Sequence, residues 1–175
     1  LERGLFLSSK RDPEARDLLI SFLANFPDNP RTPEAALALA ESAIFRLPFD
    51  RELALKNIAP LKFDLQAKPD LEARRVLVLL ALNQGIQQAQ DLLAKAPSHP
   101  LAPRVLFQLG QTYRKPNNAR DKEIGKANYQ FELLIEKYPA SEFTDPARYY
   151  RALTSTALKT DSAAKTATLR SREPM

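Results

Sequence analysis

Residues 96–110 read APSHPLAPRVLFQLG, and this proline-marked phrase recurs twice more along the chain. Residues 26–40 read FPDNPRTPEAALALA, and residues 138–152 read YPASEFTDPARYYRA. In each copy an apolar residue and a proline end one helical pattern, and a short polar turn follows. A second proline then stands in the first turn of the next helix, where its missing N–H would have no partner in any case. The chain is therefore predicted to be a succession of helices joined by similar loops.

The prolines set the expected helix ends. Those predicted to close helices are Pro27, Pro69, Pro97 and Pro139, and those predicted to open them are Pro33, Pro103 and Pro146. The apolar periodicity predicts eight helices, at about 13–26, 32–46, 50–67, 70–83, 85–96, 101–114, 121–138 and 144–159. Pro60 is expected to kink or split the third of these helices. No segment alternates with a period of two residues, so no β-sheet is predicted.

The composition removes most enzyme classes. The 175 residues are 44% hydrophobic and 27% charged, which is typical of a globular chain. With no cysteine, one histidine and four glycines, the chain lacks thiol chemistry, a histidine metal cluster and a glycine-rich phosphate loop. No apolar run is long enough to form a transmembrane segment. We expect no metal, no cofactor and no catalytic residues, and hence a protein that is not an enzyme.

One segment carries a recognisable pattern. Residues 106–113 read LFQLGQTY and resemble the first-helix core of a tetratricopeptide (TPR) repeat through Leu106, Leu109, Gly110 and Tyr113. The spacing of Ala127, Phe131, Leu134 and Pro139 is similar to that in the second helix of such a repeat. Gly110 and Ala127 are small enough to let the paired helices approach closely, with Tyr113 and Phe131 filling the space beside them. The phrase YPASEF followed by DPARYY is similar to repeats of bacterial envelope proteins such as the outer-membrane β-barrel assembly lipoprotein and the Tol–Pal coordination protein.

The resemblance implies an all-α fold, a right-handed α-solenoid of antiparallel helix hairpins over residues 1–154. Residues 155–175 are interpreted as the end of the last helix and a polar, weakly basic tail or linker. In TPR arrays the concave face binds partners through exposed positions of each repeat's first helix. In the best-matching repeat these positions are Arg104, Phe107, Gln111, Arg114 and Lys115, and in an earlier repeat they are Glu34, Leu37 and Glu41. One aromatic residue among cations suits an extended peptide that carries carboxylates.

Several aromatic and aliphatic positions have two open interpretations. Phe107, Ile44 and Phe45 either line the groove or pack against the next helix. Of the adjacent Tyr149 and Tyr150, one is expected to pack and the other to face the groove.

The remaining candidates for chemistry have simpler structural interpretations. His99, in the turn PSHP, is interpreted as a capping or surface residue rather than a catalytic group. Glu132 and Glu136 have helical spacing, and we favour a solvated salt-bridge stripe over a glycosidase pair.

The net charge of +5 lies entirely in the second part of the chain, because residues 1–99 hold 13 basic and 13 acidic side chains and residues 100–175 hold 13 and 8. The densest basic group comprises Arg114, Lys115, Arg120, Lys122 and Lys126. Acidic residues interrupt it, so we interpret it as a solvated connection between helices and favour a protein or peptide partner over nucleic acid.

Three hypotheses for function remain. The first is a non-catalytic protein–protein interaction scaffold in the bacterial periplasm or at the outer-membrane periphery, with the cytoplasm left open. The second is the helical superstructure of a larger peptidoglycan-processing enzyme whose catalytic domain lies outside this chain. The third is nucleic-acid binding by the basic part, which would weaken steeply with salt. The chain starts at Leu1 and its only methionine is Met175, so we expect it to be a piece of a longer protein whose full sequence would separate the first two hypotheses.

Overall fold

The computed structural model describes residues 1–10, 12–45, 48–115 and 121–170, with the backbone alone described for 121–122 and 161–170. These residues form nine α-helices and no strand, which confirms the all-α prediction for this part of the chain. The helices are α1 (Glu2–Ser9), α2 (Glu14–Asn25), α3 (Thr32–Phe45), α4 (Arg51–Ile58), α5 (Pro69–Ala81), α6 (Ile86–Lys95), α7 (Ala102–Arg114), α8 (Asp121–Lys137) and α9 (Thr144–Arg170).

The structure differs from the predicted helix bounds in four places. The first helix, α1, was not predicted, because no proline marks its start and it has only 8 residues. The third predicted helix ends at Ile58, just before Pro60, and residues 61–68 are not helical. Pro69 opens α5 instead of closing a helix. The last helix continues to Arg170, so residue 155 lies within a continuous helix.

Three loops share one pattern of hydrogen bonds, which confirms that the proline-marked phrase is a structural repeat. In the loops that start at Phe26, Ala96 and Tyr138, the N–H of the fourth residue donates to the carbonyl of the first at 3.2, 3.1 and 3.0 Å. The side chain of the fourth residue also accepts a hydrogen bond from the N–H of the residue two positions further on. The bonds are Arg31 N to Asn29 Oδ1 (2.9 Å), Leu101 N to His99 Nδ1 (3.1 Å) and Phe143 N to Ser141 Oγ (3.2 Å).

The correspondence between the three loops extends into the helices that follow them. Aligning the loops places Ser42, Thr112 and Thr154 at one position of α3, α7 and α9, and all three hydroxyl-bearing side chains are buried. In α7 the hydroxyl of Thr112 donates to Gln108 O at 2.9 Å, and in α9 that of Thr154 donates to Asn128 Oδ1 of α8 at 2.9 Å. In α7 and α9 the small polar side chain at this position satisfies its hydrogen bond within or beside the helix while taking little space.

The first compact unit covers residues 1–95 and is built around α3. This helix contacts α1, α2, α4 and α5, and every residue from Ala35 to Ala40 is buried. Its many alanines allow neighbouring helices to approach from several sides, and Leu37 and Leu39 fill the space between them. The run from Val76 to Leu80 of α5 is also buried, and all five of its side chains are apolar.

The second compact unit covers residues 96–175, and its described part is α7, α8 and α9. In it, α8 contacts both α7 and α9, so consecutive helices pack side by side. Gly110 of α7 faces Phe131 of α8, and Ala127, Phe131 and Leu134 are fully buried. The expected close packing of this helix pair is therefore confirmed. Consecutive helices pack in this way within each unit, and the right-handed solenoid stays a prediction.

Candidate functional site

The five predicted partner-binding residues of the second unit lie along one side of α7 and at its end. Residues 104, 107, 111 and 114 are spaced by three or four, which places them on one face of the helix, and Lys115 follows the last helical residue. Arg104 is exposed, whereas Phe107, Gln111 and Arg114 are partly buried. Packing by neighbouring helices therefore covers part of this face.

Phe107 belongs to a cluster of aromatic rings, the aromatic cluster, formed by Phe107, Phe131, Phe143 and Tyr150. The ring centroid of Phe107 lies 6.0 Å from that of Phe131, 5.5 Å from that of Phe143 and 5.9 Å from that of Tyr150. The rings of Phe131 and Tyr150 are stacked at 5.8 Å. Such offset and tilted pairs stabilise by about 0.5–1.5 kcal/mol each beyond the area that they bury. Of the two interpretations of Phe107, the structure supports packing against the next helix.

The adjacent tyrosines of α9 have different environments, as expected. Tyr150 packs in the aromatic cluster, whereas Tyr149 is 62% exposed and meets Tyr150 edge-on at 5.2 Å. Neighbouring residues of a helix are about 100° apart, so burial of one ring leaves the other beside the packed face. Tyr149 is thus an exposed aromatic side chain held at the border of a packed cluster.

Arg114 is held in one orientation by two neighbouring side chains. Its guanidinium carbon lies 4.5 Å from the ring centroid of Tyr150, and its Nε and Nη2 donate to Gln111 Oε1 at 3.1 and 3.0 Å. Gln111 therefore occupies the side edge of the guanidinium, formed by Nε and Nη2. Among the described residues no acceptor lies on the end edge, formed by Nη1 and Nη2, which can bind a carboxylate with two parallel hydrogen bonds.

Cations outnumber acids on the two helices, α7 and α9, that meet at Arg114. The described part of α7 has no carboxylate, and Arg104 adds a second cation. Along α9 up to Thr160, the only acid is Asp145, which accepts a hydrogen bond from Arg148 Nη1 at 2.9 Å, and Arg151 and Lys159 are exposed. We call Gln111, Arg114, Tyr149 and Tyr150 the arginine–tyrosine surface. Its chemistry suits an anionic group next to an apolar or aromatic one.

Of the partner-binding residues predicted in the first unit, Leu37 is wrong. Leu37 is 0% exposed, because α3 has packed neighbours on several sides, so it cannot contact a partner. Glu34 accepts a hydrogen bond from Arg31 Nε at 2.8 Å, and Glu41 accepts two from Arg74, at 2.8 Å from Nε and 2.5 Å from Nη2. Both carboxylates are therefore already in ion pairs within the unit.

The Arg74–Glu41 pair is partly buried and joins α5 to α3. Its hydrogen bonds raise the pKa of Arg74, and burial opposes this rise only in part. Ile44 is buried, whereas Phe45 is exposed, so of these two residues Ile44 packs in the core. The sequence did not reveal the ion pair because its partners are 33 residues apart and lie on different helices.

The interpretation of His99 as a structural residue is confirmed, since its Nδ1 accepts the N–H of Leu101 within the repeated loop. Glu132 is partly buried and Glu136 is exposed, one helical turn apart on α8. In the described ranges no three or more acidic, histidine or cysteine side chains form a group that could hold a metal ion. None of the described helices has the length and apolar character needed to cross a membrane.

Comparison with known proteins gives no relative for this chain: no family model, no curated protein and no solved structure matches it. The strongest basis for a functional proposal is therefore the geometry of the arginine–tyrosine surface.

Proposed function

We propose that this chain is a non-catalytic protein–protein interaction scaffold of the tetratricopeptide type, acting in a bacterial envelope assembly. In this proposal, the arginine–tyrosine surface binds an extended segment of a partner protein. The observation that carries the proposal is the orientation of Arg114, which is stacked on Tyr150 and bonded along one edge by Gln111.

A carboxylate is the partner group that this arrangement fits best. A free arginine side chain must lose rotamer freedom before it can form two parallel hydrogen bonds, and here two contacts already fix the guanidinium. The end edge that remains matches the spacing of the two oxygens of an aspartate, a glutamate or a chain terminus. The surrounding cations would attract such a segment and raise its association rate.

Tyr149 would supply the apolar part of the recognition. Its exposed ring lies beside Tyr150, so a partner side chain next to the bound carboxylate can pack on it without displacing the aromatic cluster. Tyrosine offers a large contact area with few rotatable bonds, which makes it effective at interfaces. The expected recognition sequence is thus an acidic residue close to an aromatic or large aliphatic one.

The test is binding of the purified chain to an array of 15-residue peptides that pair acidic with apolar residues. We expect Arg114→Glu to weaken the best peptide at least tenfold and Arg114→Lys to weaken it less, because lysine keeps the charge but loses the two-bond geometry. Lys137→Glu is the matched control, since Lys137 is an exposed cation at the end of α8. It should change affinity less than twofold.

Two results would contradict the proposal. Equal losses for Arg114→Glu and Lys137→Glu would show that only net charge matters. Tighter binding of single-stranded nucleic acid than of any peptide, with a steep salt dependence, would favour the nucleic-acid hypothesis instead. The placement in the envelope is tested separately, by fractionating cells that express the full-length protein.

A further inference from the structure

The face of α9 that carries Tyr149 is the repeat equivalent of the face of α7 that carries Phe107. The loops before the two helices have the same hydrogen bonds and are 42 residues apart, so Phe107 corresponds to Tyr149 and Gln111 corresponds to Leu153. In α7 this face is covered, because Phe107 packs on Phe143 and Tyr150. In α9 the same face is open, with Tyr149 62% and Leu153 44% exposed.

The open face is continuous along the helix. At about 100° per residue, Tyr149, Leu153 and Thr156 fall within one narrow arc, with Ala152 at its edge. All four are exposed and none is charged. On the opposite side of α9, Ala147 and Thr154 are buried and Thr154 bonds to Asn128 of α8, so this α9 face is a second, apolar side of the same helix that stays exposed in the described part of the chain.

The charges beside the face are all of one sign apart from Asp145. Arg148 and Lys159 lie along one border of the α9 face, and Asp145, which falls within the same arc, is engaged by Arg148. A second copy of α9 in parallel orientation would bring its own Arg148 and Lys159 against these, and like charges disfavour that pairing. A helix with carboxylates along its border would be attracted.

We propose that the α9 face docks an amphipathic helix of a partner protein, one with large apolar side chains two turns apart and acidic residues along one border. The covered face of α7 supplies the template, since its cover consists of Phe143 and Tyr150, seven residues apart. The partner helix would extend the row of packed helices by one, as a further repeat would. This site shares Tyr149 with the arginine–tyrosine surface but does not use Arg114.

The probe is a synthetic helical peptide of about 20 residues with leucine and phenylalanine seven apart and glutamates along one border. A twin peptide carries lysines in place of the glutamates. The chain contains no tryptophan, so Tyr149→Trp places a single tryptophan reporter on the α9 face. We expect a saturable blue shift with the acidic peptide and at least tenfold weaker binding of the lysine twin.

Two variants make the test specific. Leu153→Glu should abolish the binding of the acidic peptide while circular dichroism shows an intact fold. The double change Arg148→Glu and Lys159→Glu should reverse the preference, so that the lysine twin binds better. Arg114→Glu should leave the blue shift unchanged, and this separates the site from the proposed peptide site.

The proposal is overturned if neither peptide shifts the tryptophan emission of the folded protein. It is equally overturned if sedimentation shows a dimer that Leu153→Glu dissociates, because a second copy would then occupy the α9 face.

Discussion

A methyl group added to Gly110 would lie 2.6 Å from Cε1 of Phe131, so the ring of α8 rests directly on the backbone of α7. Phe131 is fully buried and stacks on Tyr150, which leaves the ring no open space into which it could move. The α7–α8 contact therefore depends on the absence of a side chain at position 110.

Gly110→Ala should destabilise the protein by about 1–3 kcal/mol, the usual cost of overpacking a filled core. This cost exceeds the gain of up to about 1 kcal/mol that alanine brings to a helix interior. The measurement is urea unfolding followed by circular dichroism.

Gly125→Ala is the matched control, because no atom beyond its chain neighbours and its own helix backbone lies within 4 Å of the added methyl group. It should stabilise by about 0.5–1 kcal/mol through helix propensity alone. A shift of both variants in the same direction would disprove the packing explanation, and Phe131→Leu should reduce the cost of Gly110→Ala in a double-mutant cycle.

His99→Asn should leave stability nearly unchanged, because Asn29 already plays the same part in the equivalent loop of the first unit. His99→Ala removes the acceptor of the Leu101 N–H and should cost about 1 kcal/mol. Thermal unfolding of both variants separates the two cases. If His99→Asn and His99→Ala lose stability equally, asparagine cannot replace histidine at this position of the loop.

Arg74→Lys should destabilise by about 1 kcal/mol, because lysine cannot form the two parallel bonds that Arg74 makes to Glu41. The same change at Arg148, whose pair with Asp145 is exposed, should cost less than about 0.5 kcal/mol. Chemical unfolding at low and high salt measures the loss of stability of both variants. A larger loss for Arg148→Lys than for Arg74→Lys would contradict this prediction.

Stability should fall as the pH rises above about 10, the ordinary pKa of a tyrosine side chain. Burial, with a smaller contribution from the charge of Glu123, raises the pKa of Tyr113, and burial raises the pKa of Tyr138. In that pH range the folded chain holds more protons than the unfolded chain, so ionisation favours unfolding. Tyr113→Phe should make the alkaline decline of the free energy of unfolding shallower without changing its slope below pH 9. An unchanged alkaline slope would contradict this.

Local signals in the sequence were enough to predict most helices. Pro27, Pro97 and Pro139 follow helix ends, and Pro33 and Pro103 lie in first turns, because proline acts on its own turn of backbone. The small residues Gly110 and Ala127 likewise predicted a close contact that depends only on neighbouring helices.

The burial of equivalent positions could not be predicted in the same way. Leu37 and Phe107 occupy the same position of the repeat, yet Leu37 is inaccessible and Phe107 is partly exposed. The difference arises from how many helices surround α3 and α7, which is a property of the tertiary structure. The stacking of Arg114 on Tyr150 also joins residues that are distant in sequence, so no local pattern announces it.

The side-by-side packing of α7, α8 and α9 has a consequence for how this part of the chain folds. The most extensive contacts, of α7 with α8 and of α8 with α9, form between helices that follow one another, so the loops to be closed are short and the entropy lost on closing them is small. Proteins dominated by such local contacts fold within about microseconds to milliseconds. A partner that needs this unit would meet it folded very soon after synthesis.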